Sequence, residues 1–83
     1  MLESEIKEKI RNYVRSSFFL FQEKEIEDDT SFLNAGIIDS TGLMEIVSFI
    51  QTEFRLYIAD HDLLPSNLDS INNITKFLLR NGI

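Results

Sequence analysis

The amino-acid sequence predicts an all-α fold, a small irregular four-helix bundle with three main helices, one short helix and a long first loop. Two observations lead to this prediction. Apolar residues recur every three or four positions in three segments, and no segment alternates apolar and polar residues as a half-buried strand does. The chain has 83 residues, 43% of them hydrophobic, so residues 1–83 are expected to form a single domain around one small core.

The first helix is predicted to run from residue 2 to residue 17 or beyond. Its apolar side chains follow helical spacing and lie at positions 2, 6, 10, 13, 14, 18 and 21. Residues 22–38 are interpreted as a long loop, charged at its start and apolar near its end, at Phe32, Leu33, Ile37 and Ile38. Long loops in small domains are usually functional or disordered, and these apolar anchors favour an ordered loop packed over the core.

The second helix is predicted over about residues 40–54, because Asp39-Ser40 is a strong N-cap signal. The apolar residues that follow lie within an arc of about 100° on a helical wheel, at positions 43, 46, 47, 50 and 54. Tyr57 and Ile58 are expected to form a short extended link.

The C-terminal part is predicted to hold one short helical turn and a last helix. The short turn spans residues 59–64, with Asp60 as its cap and Pro65 closing it. The last helix spans residues 70–80, is capped by Asp69-Ser70 and ends at Asn81-Gly82. Its inward-facing residues are expected to be Ile71, Ile74, Phe77 and Leu78.

The charge of the chain is unevenly placed. The net charge is −6, and residues 23–62 hold ten carboxylates against two basic side chains, a local net charge of −8. This acidic middle argues against nucleic-acid binding, which needs Lys and Arg. It suits protein partners with basic docking patches, although net charge also serves simply to keep a small domain soluble.

Cysteine is absent, which excludes a disulfide, a thiolate zinc site and a cysteine nucleophile. Any thiol chemistry must therefore come from an added cofactor. No apolar run is long enough to span a membrane, and the start lacks the order of a secretory signal, so a cytoplasmic protein without membrane insertion is expected.

The segment from Gly36 to Val47 carries the most specific pattern. Asp39-Ser40 is followed by a carboxylate five residues after the serine, Glu45, and then by an aliphatic pair. This pattern resembles the attachment motif of the acyl carrier protein family. The resemblance covers about residues 32–78, since Phe54 also fits the family pattern and residues 64–71 look like the loop before the last helix of stand-alone carriers.

The resemblance implies a carrier protein rather than an enzyme. Ser40 would carry 4′-phosphopantetheine, transferred from coenzyme A, and the thiol of this group would hold acyl or aminoacyl intermediates as thioesters. A helix start favours the anionic phosphodiester of this group. Asp39 adds a like charge there, and the resemblance gives it a role in recognition by the modifying enzyme.

The outer face of the second helix is the expected partner face. It carries Thr41, Met44, Glu45, Ser48 and Thr52. Met44 is an adaptable apolar contact, and Glu45 can pair with a partner's Arg or Lys. The partners implied are a phosphopantetheinyl transferase, an acyl- or aminoacyl-adenylating ligase, and downstream acyl-transferring or modifying enzymes; a monomer is expected.

This sequence departs from the family pattern in two respects, and three alternatives stay open. Thr41 stands where many carriers have Leu, and the partner face has one carboxylate, which favours a carrier dedicated to one pathway over bulk fatty-acid synthesis.

A Ser40–His61 hydrolytic pair would need an activated nucleophile in a pocket. His61 between two aspartates hints at a metal, although an exposed histidine is the simpler interpretation, and an acidic helical interaction module without a cofactor would explain the composition equally well.

Overall fold

The computed structural model describes residues 1–18 and 26–83. Within them lie four α-helices, α1 (Glu3–Ser17), α2 (Ser40–Phe54), α3 (Pro65–Leu68) and α4 (Ile71–Arg80), and a single 3₁₀ turn, Asp60–Asp62, between α2 and α3. These described ranges contain no β-strand, so the predicted all-α bundle is confirmed. Phe21 and the predicted start of the loop at residue 22 lie outside the described residues.

Helix α1 buries one narrow apolar stripe. Ile6, Ile10 and Val14 follow one another at four-residue steps, and all three are essentially inaccessible to solvent. Leu2, which the apolar spacing placed at the start of this helix, is 65% exposed. It is the N-cap residue with an extended backbone, so its carbonyl accepts the first helical hydrogen bonds while its side chain points away from the core.

The loop before α2 is ordered over its described part, residues 26–39. Phe32 and Ile38 are buried in the core, and Leu33 and Ile37 pack against it, which confirms the predicted apolar anchors. The first described residues of this loop are held to α1, because the Arg11 guanidinium donates to the carbonyl of Ile26 and pairs with the nearby carboxylate of Asp28.

Helix α2 begins and ends at the predicted residues. Asp39 is its N-cap, and the helix buries Ile46, Val47, Ile50 and Phe54. The segment after it differs from the prediction. Pro65 begins α3 instead of closing the preceding turn, because proline lacks an N–H that the first turn would leave unpaired and its fixed φ is already helical. Asp60 does not cap the 3₁₀ turn either; Ala59 occupies that position without a side-chain hydrogen bond.

Helix α4 completes the core by packing against α1 and α3. The Ser70 hydroxyl accepts the N–H of Asn73 at 3.0 Å, which confirms Ser70 as the cap of this helix. The four predicted inward residues are all buried and join the apolar residues of α1, α2 and the loop in one cluster. No helix within residues 1–18 and 26–83 is long and apolar enough to cross a membrane.

Candidate functional site

Ser40 is the first residue of α2 and is exposed to solvent. Asp39, in front of it, has an extended backbone, and its Oδ1 accepts the N–H of Gly42 at 2.9 Å. The carbonyl of Asp39 accepts the N–H of Leu43 at 3.0 Å. These two bonds fix the backbone on both sides of Ser40 and leave its side chain on the outside of the bundle.

An open groove of about 690 Å³ lies beside Ser40, and we name it the attachment groove. It is lined by the end of α1, the end of the loop and the first turns of α2: Phe18, Gly36, Ile37, Ile38, Asp39, Thr41, Gly42 and Glu45. Three of the predicted recognition residues, Asp39, Thr41 and Glu45, are therefore brought together in one wall next to the serine. Gly36 allows the loop to turn into this wall, since its φ is +72°.

Gly42 allows α2 to approach the loop closely. A Cβ atom at this position would lie 2.9 Å from the Cβ of Ile38 and 3.1 Å from a ring carbon of Phe18. Gly42 itself is buried. The absence of a side chain at Gly42 thus determines how closely the start of α2, and with it Ser40, lies against the loop.

A second groove, of about 400 Å³, continues along the outer face of α2, and we name it the aromatic groove. Tyr13 of α1 and Phe49 of α2 form its aromatic wall and stack on each other, with ring planes 12° apart and ring centroids 4.0 Å apart. Its rim consists of Glu45, Ser48 and Thr52. The Tyr13 hydroxyl donates to the backbone carbonyl of Glu45 at 3.2 Å, so α1 is bonded directly to the middle of the predicted partner face.

Glu45 lines both grooves and lies on the ridge between them. Glu45 is exposed to solvent, and none of the ion pairs within the described residues includes it. The ion pair nearest to it along the sequence joins Lys9 to Glu53 at 3.2 Å. Met44 is 53% exposed, as its position on the outer face predicts, but it lines neither of these two grooves. The predicted recognition residues Asp39, Thr41, Glu45 and Ser48 thus line the two grooves, and Met44 is exposed outside them.

Sequence patterns did not identify the aromatic side chains of this surface. The apolar spacing places Tyr13 and Phe18 in the apolar stripe of α1 and predicts no functional role for Phe49. All three are half-buried at the edge of the core and form walls of the two grooves. Their helical spacing marks them as partly inward, but which helix they would face depends on long-range packing.

His61 does not belong to a cluster of metal-ligating side chains within the described residues. Its side chain is 83% exposed, and its Nε2 lies 3.6 Å from the Oδ2 of Asp62, its neighbour in the same 3₁₀ turn. In the part of the chain that the structure describes, no three His, Asp or Glu side chains are grouped so that they could hold a metal ion. The prediction of an exposed histidine is confirmed.

Fold and site together form a small helical bundle that presents an exposed serine at the first position of α2, beside an open groove. The chain is similar to the probable acyl carrier protein PigG of Serratia sp. (strain ATCC 39006). The two are 22% identical over 80 residues, which cover 96% of this chain and 87% of PigG. No family model matches the chain. The likeness extends over nearly the whole of both proteins and supports a carrier role in general terms.

Proposed function

We propose that this protein is an acyl carrier protein whose Ser40 is modified with 4′-phosphopantetheine, and that residues 1–83 form one carrier domain. The observation that carries the proposal is the exposed Ser40 at the first position of α2, held by the Asp39 cap, in a chain similar along nearly its whole length to a probable acyl carrier protein. The chain itself is a substrate of modifying enzymes in this proposal and catalyses no reaction.

The residues around Ser40 fit such a group. The serine is exposed, so a transferase can reach its hydroxyl from solvent. The N–H groups at the start of any α-helix lack carbonyl partners, and here the Asp39 carboxylate occupies only that of Gly42. A phosphodiester on Ser40 would lie next to the remaining donors at the positive end of the helix dipole.

The group would supply a thiol that carries acyl or aminoacyl units as thioesters, which a chain without cysteine cannot provide. The attachment groove is open to solvent and lies beside Ser40, so it can hold part of the arm without enclosing it. Ile37, Ile38 and Phe18 offer apolar surface there, and Thr41 and Asp39 offer polar surface. Shallow contacts of both kinds suit a group that must be bound and then released.

The outer face of α2 is proposed to dock the partner enzymes: a phosphopantetheinyl transferase, an adenylating ligase that loads the acid, and downstream acyl-transferring or modifying enzymes. Thr41, Met44, Glu45 and Ser48 all lie exposed on this face. The ridge position of Glu45 between two grooves lets one basic side chain pair with it while neighbouring apolar side chains enter the grooves. A single carboxylate on this face favours partners of one dedicated pathway.

Intact mass spectrometry tests the proposal. The purified protein is incubated with coenzyme A and a broad-specificity phosphopantetheinyl transferase, and a gain of one phosphopantetheine is expected. Ser40→Ala should abolish the gain, whereas Ser4→Ala, which removes an exposed hydroxyl from α1, outside the proposed docking face, should retain it. Circular dichroism should show that both variants remain folded.

The outcomes separate the alternatives. A gain that persists in Ser40→Ala would assign the modification to another residue. A folded wild-type protein that gains no mass with several transferases would contradict the proposal and favour the helical interaction module without a cofactor.

A further inference from the structure

Asp69 lies 29 positions after Ser40, between α3 and α4, and no sequence pattern connects it with the attachment serine. The structure places it against the loop that leads to Ser40. Its backbone carbonyl accepts the N–H of Phe32 at 2.9 Å, and its Oδ1 accepts the N–H of Leu33, also at 2.9 Å. Its Oδ2 accepts a hydrogen bond from the hydroxyl of Ser31. One residue thus binds three consecutive loop residues.

These bonds continue towards Ser40 through the loop backbone. The carbonyl of Phe32 accepts the N–H of Ile37 at 2.9 Å and that of Ile38 at 3.3 Å, which folds the loop back on itself. Phe32 is fully buried, so its position is fixed by the core as well as by Asp69. Ile38 then packs against Gly42, and Asp39 caps α2 directly in front of Ser40.

The same loop residues form one wall of the attachment groove, since Ile37, Ile38 and Asp39 all line it. An enzyme that acts on the Ser40 hydroxyl would meet this wall directly beside the serine. The bonds of Asp69 therefore determine the shape of the surface that such an enzyme meets. A carboxylate is suited to this role, because hydrogen bonds to a charged acceptor are stronger than those between neutral groups.

We propose that Asp69 is a positioning residue for the modification of Ser40: by binding residues 31–33, it holds the loop wall beside the serine in the form that a transferase recognises. The recognition step rests on the proposed carrier function, whereas the control of loop geometry by Asp69 does not.

The test compares Asp69→Ala with Ser70→Ala. The second variant removes the cap of α4 from the adjacent residue, and Ser70 is bonded to Asn73 rather than to the loop. It therefore serves as a control for general destabilisation. Both are measured under conditions where denaturation curves show that they are folded. Asp69→Asn keeps one carboxamide oxygen as an acceptor for the N–H of Leu33. Its amide exchange rates and its kcat/KM should therefore lie between those of wild type and those of Asp69→Ala.

The first readout is hydrogen exchange of the Ile37 and Ile38 amides, which requires no cofactor. Losing the Asp69 carboxylate should accelerate exchange at both amides by about tenfold or more, while Ser70→Ala should leave them close to wild type, because local opening is governed by local bonds. The second readout is the transferase reaction. Asp69→Ala should lower kcat/KM by about tenfold, mainly through a higher KM, since recognition is lost but the Ser40 nucleophile is retained.

Unchanged exchange at Ile37 and Ile38 in Asp69→Ala would overturn the proposal. A loss of kcat/KM equal to that of Ser70→Ala would overturn it too. If wild type is not modified at all, the carrier function fails, and the exchange readout still decides whether Asp69 controls the loop. If Asp69→Ala does not fold, Asp69→Asn keeps the size of the side chain, weakens its bonds to Ser31 and Leu33, and should show the same effects on exchange and kcat/KM at smaller size.

Discussion

Gly42→Ala should destabilise the protein, although alanine is the better helix former. Within a helix, the change from Gly to Ala normally stabilises by about 0.5–1 kcal/mol. Here the new methyl group would lie 2.9 Å from the Cβ of Ile38, 3.2 Å from its Cγ2 and 3.1 Å from Cε1 of Phe18. The Cβ of Ile38 is bonded to the backbone and cannot rotate away, so the loop or the start of α2 must shift.

The size of the effect follows from these two opposing terms. Overpacking a buried site typically costs about 1–3 kcal/mol, which exceeds the gain in helix propensity. We therefore expect a net loss in the free energy of unfolding of about 1 kcal/mol. Urea denaturation followed by circular dichroism measures it, and the slope of the transition should stay unchanged because the surface exposed on unfolding is nearly the same.

Thr41→Ala is the matched control for Gly42→Ala. It changes the neighbouring residue in the same helical turn, but Thr41 is exposed, so the new alanine should be neutral or mildly stabilising. A Gly42→Ala protein as stable as wild type, or more stable, would refute the argument that the close approach of α2 to Ile38 requires glycine.

Two further predictions concern charged residues. Arg11→Met keeps the aliphatic stem but removes the bonds to Ile26 and Asp28, and it should lower the free energy of unfolding by about 1–2 kcal/mol. The control Lys9→Met breaks an exposed ion pair with Glu53 and should lower it by less than about 1 kcal/mol. Equal losses of the two variants in urea denaturation would contradict this ranking. Glu45→Lys should raise the KM of partner enzymes and leave the unfolding midpoint nearly unchanged, because only its backbone carbonyl bonds to Tyr13; unchanged transfer kinetics would remove Glu45 from the docking surface.

Periodic features of the fold could be predicted from the sequence because each depends on a local rule. The buried stripe of α1 at Ile6, Ile10 and Val14 follows directly from helical spacing. Asp39 and Ser70 were recognisable as caps, since a short polar side chain before an apolar run satisfies the first N–H groups.

Local rules did not suffice where one residue type can have two structural roles. Proline can end one helix or begin the next, and at Pro65 the structure has the second. Aspartate often caps a helix, but the 3₁₀ turn begins at Asp60 itself and Ala59 occupies the cap position, so the Asp60 carboxylate does not cap the turn.

In the candidate site, too, local patterns predict some features and miss those that depend on long-range packing. The position of Ser40 and the exposure of Met44 follow from the motif and from the helical wheel. The stacking of Tyr13 on Phe49 and the bonds of Asp69 to the loop join residues 36 positions or more apart. Such pairings depend on how the helices pack, and helical periodicity alone does not specify which side chains will meet.

The bonds between Asp69 and the loop also have a consequence for the order in which the protein is made. Ser31 and Asp69 are 38 positions apart, and the serine at position 40 is synthesised well before Asp69. On a growing chain, Ser40 therefore emerges while the loop in front of it still lacks the carboxylate that closes it. The loop surface is complete only after Asp69 has bonded to residues 31–33, so an enzyme that recognises this surface would act once the chain as far as Asp69 has been made and has folded.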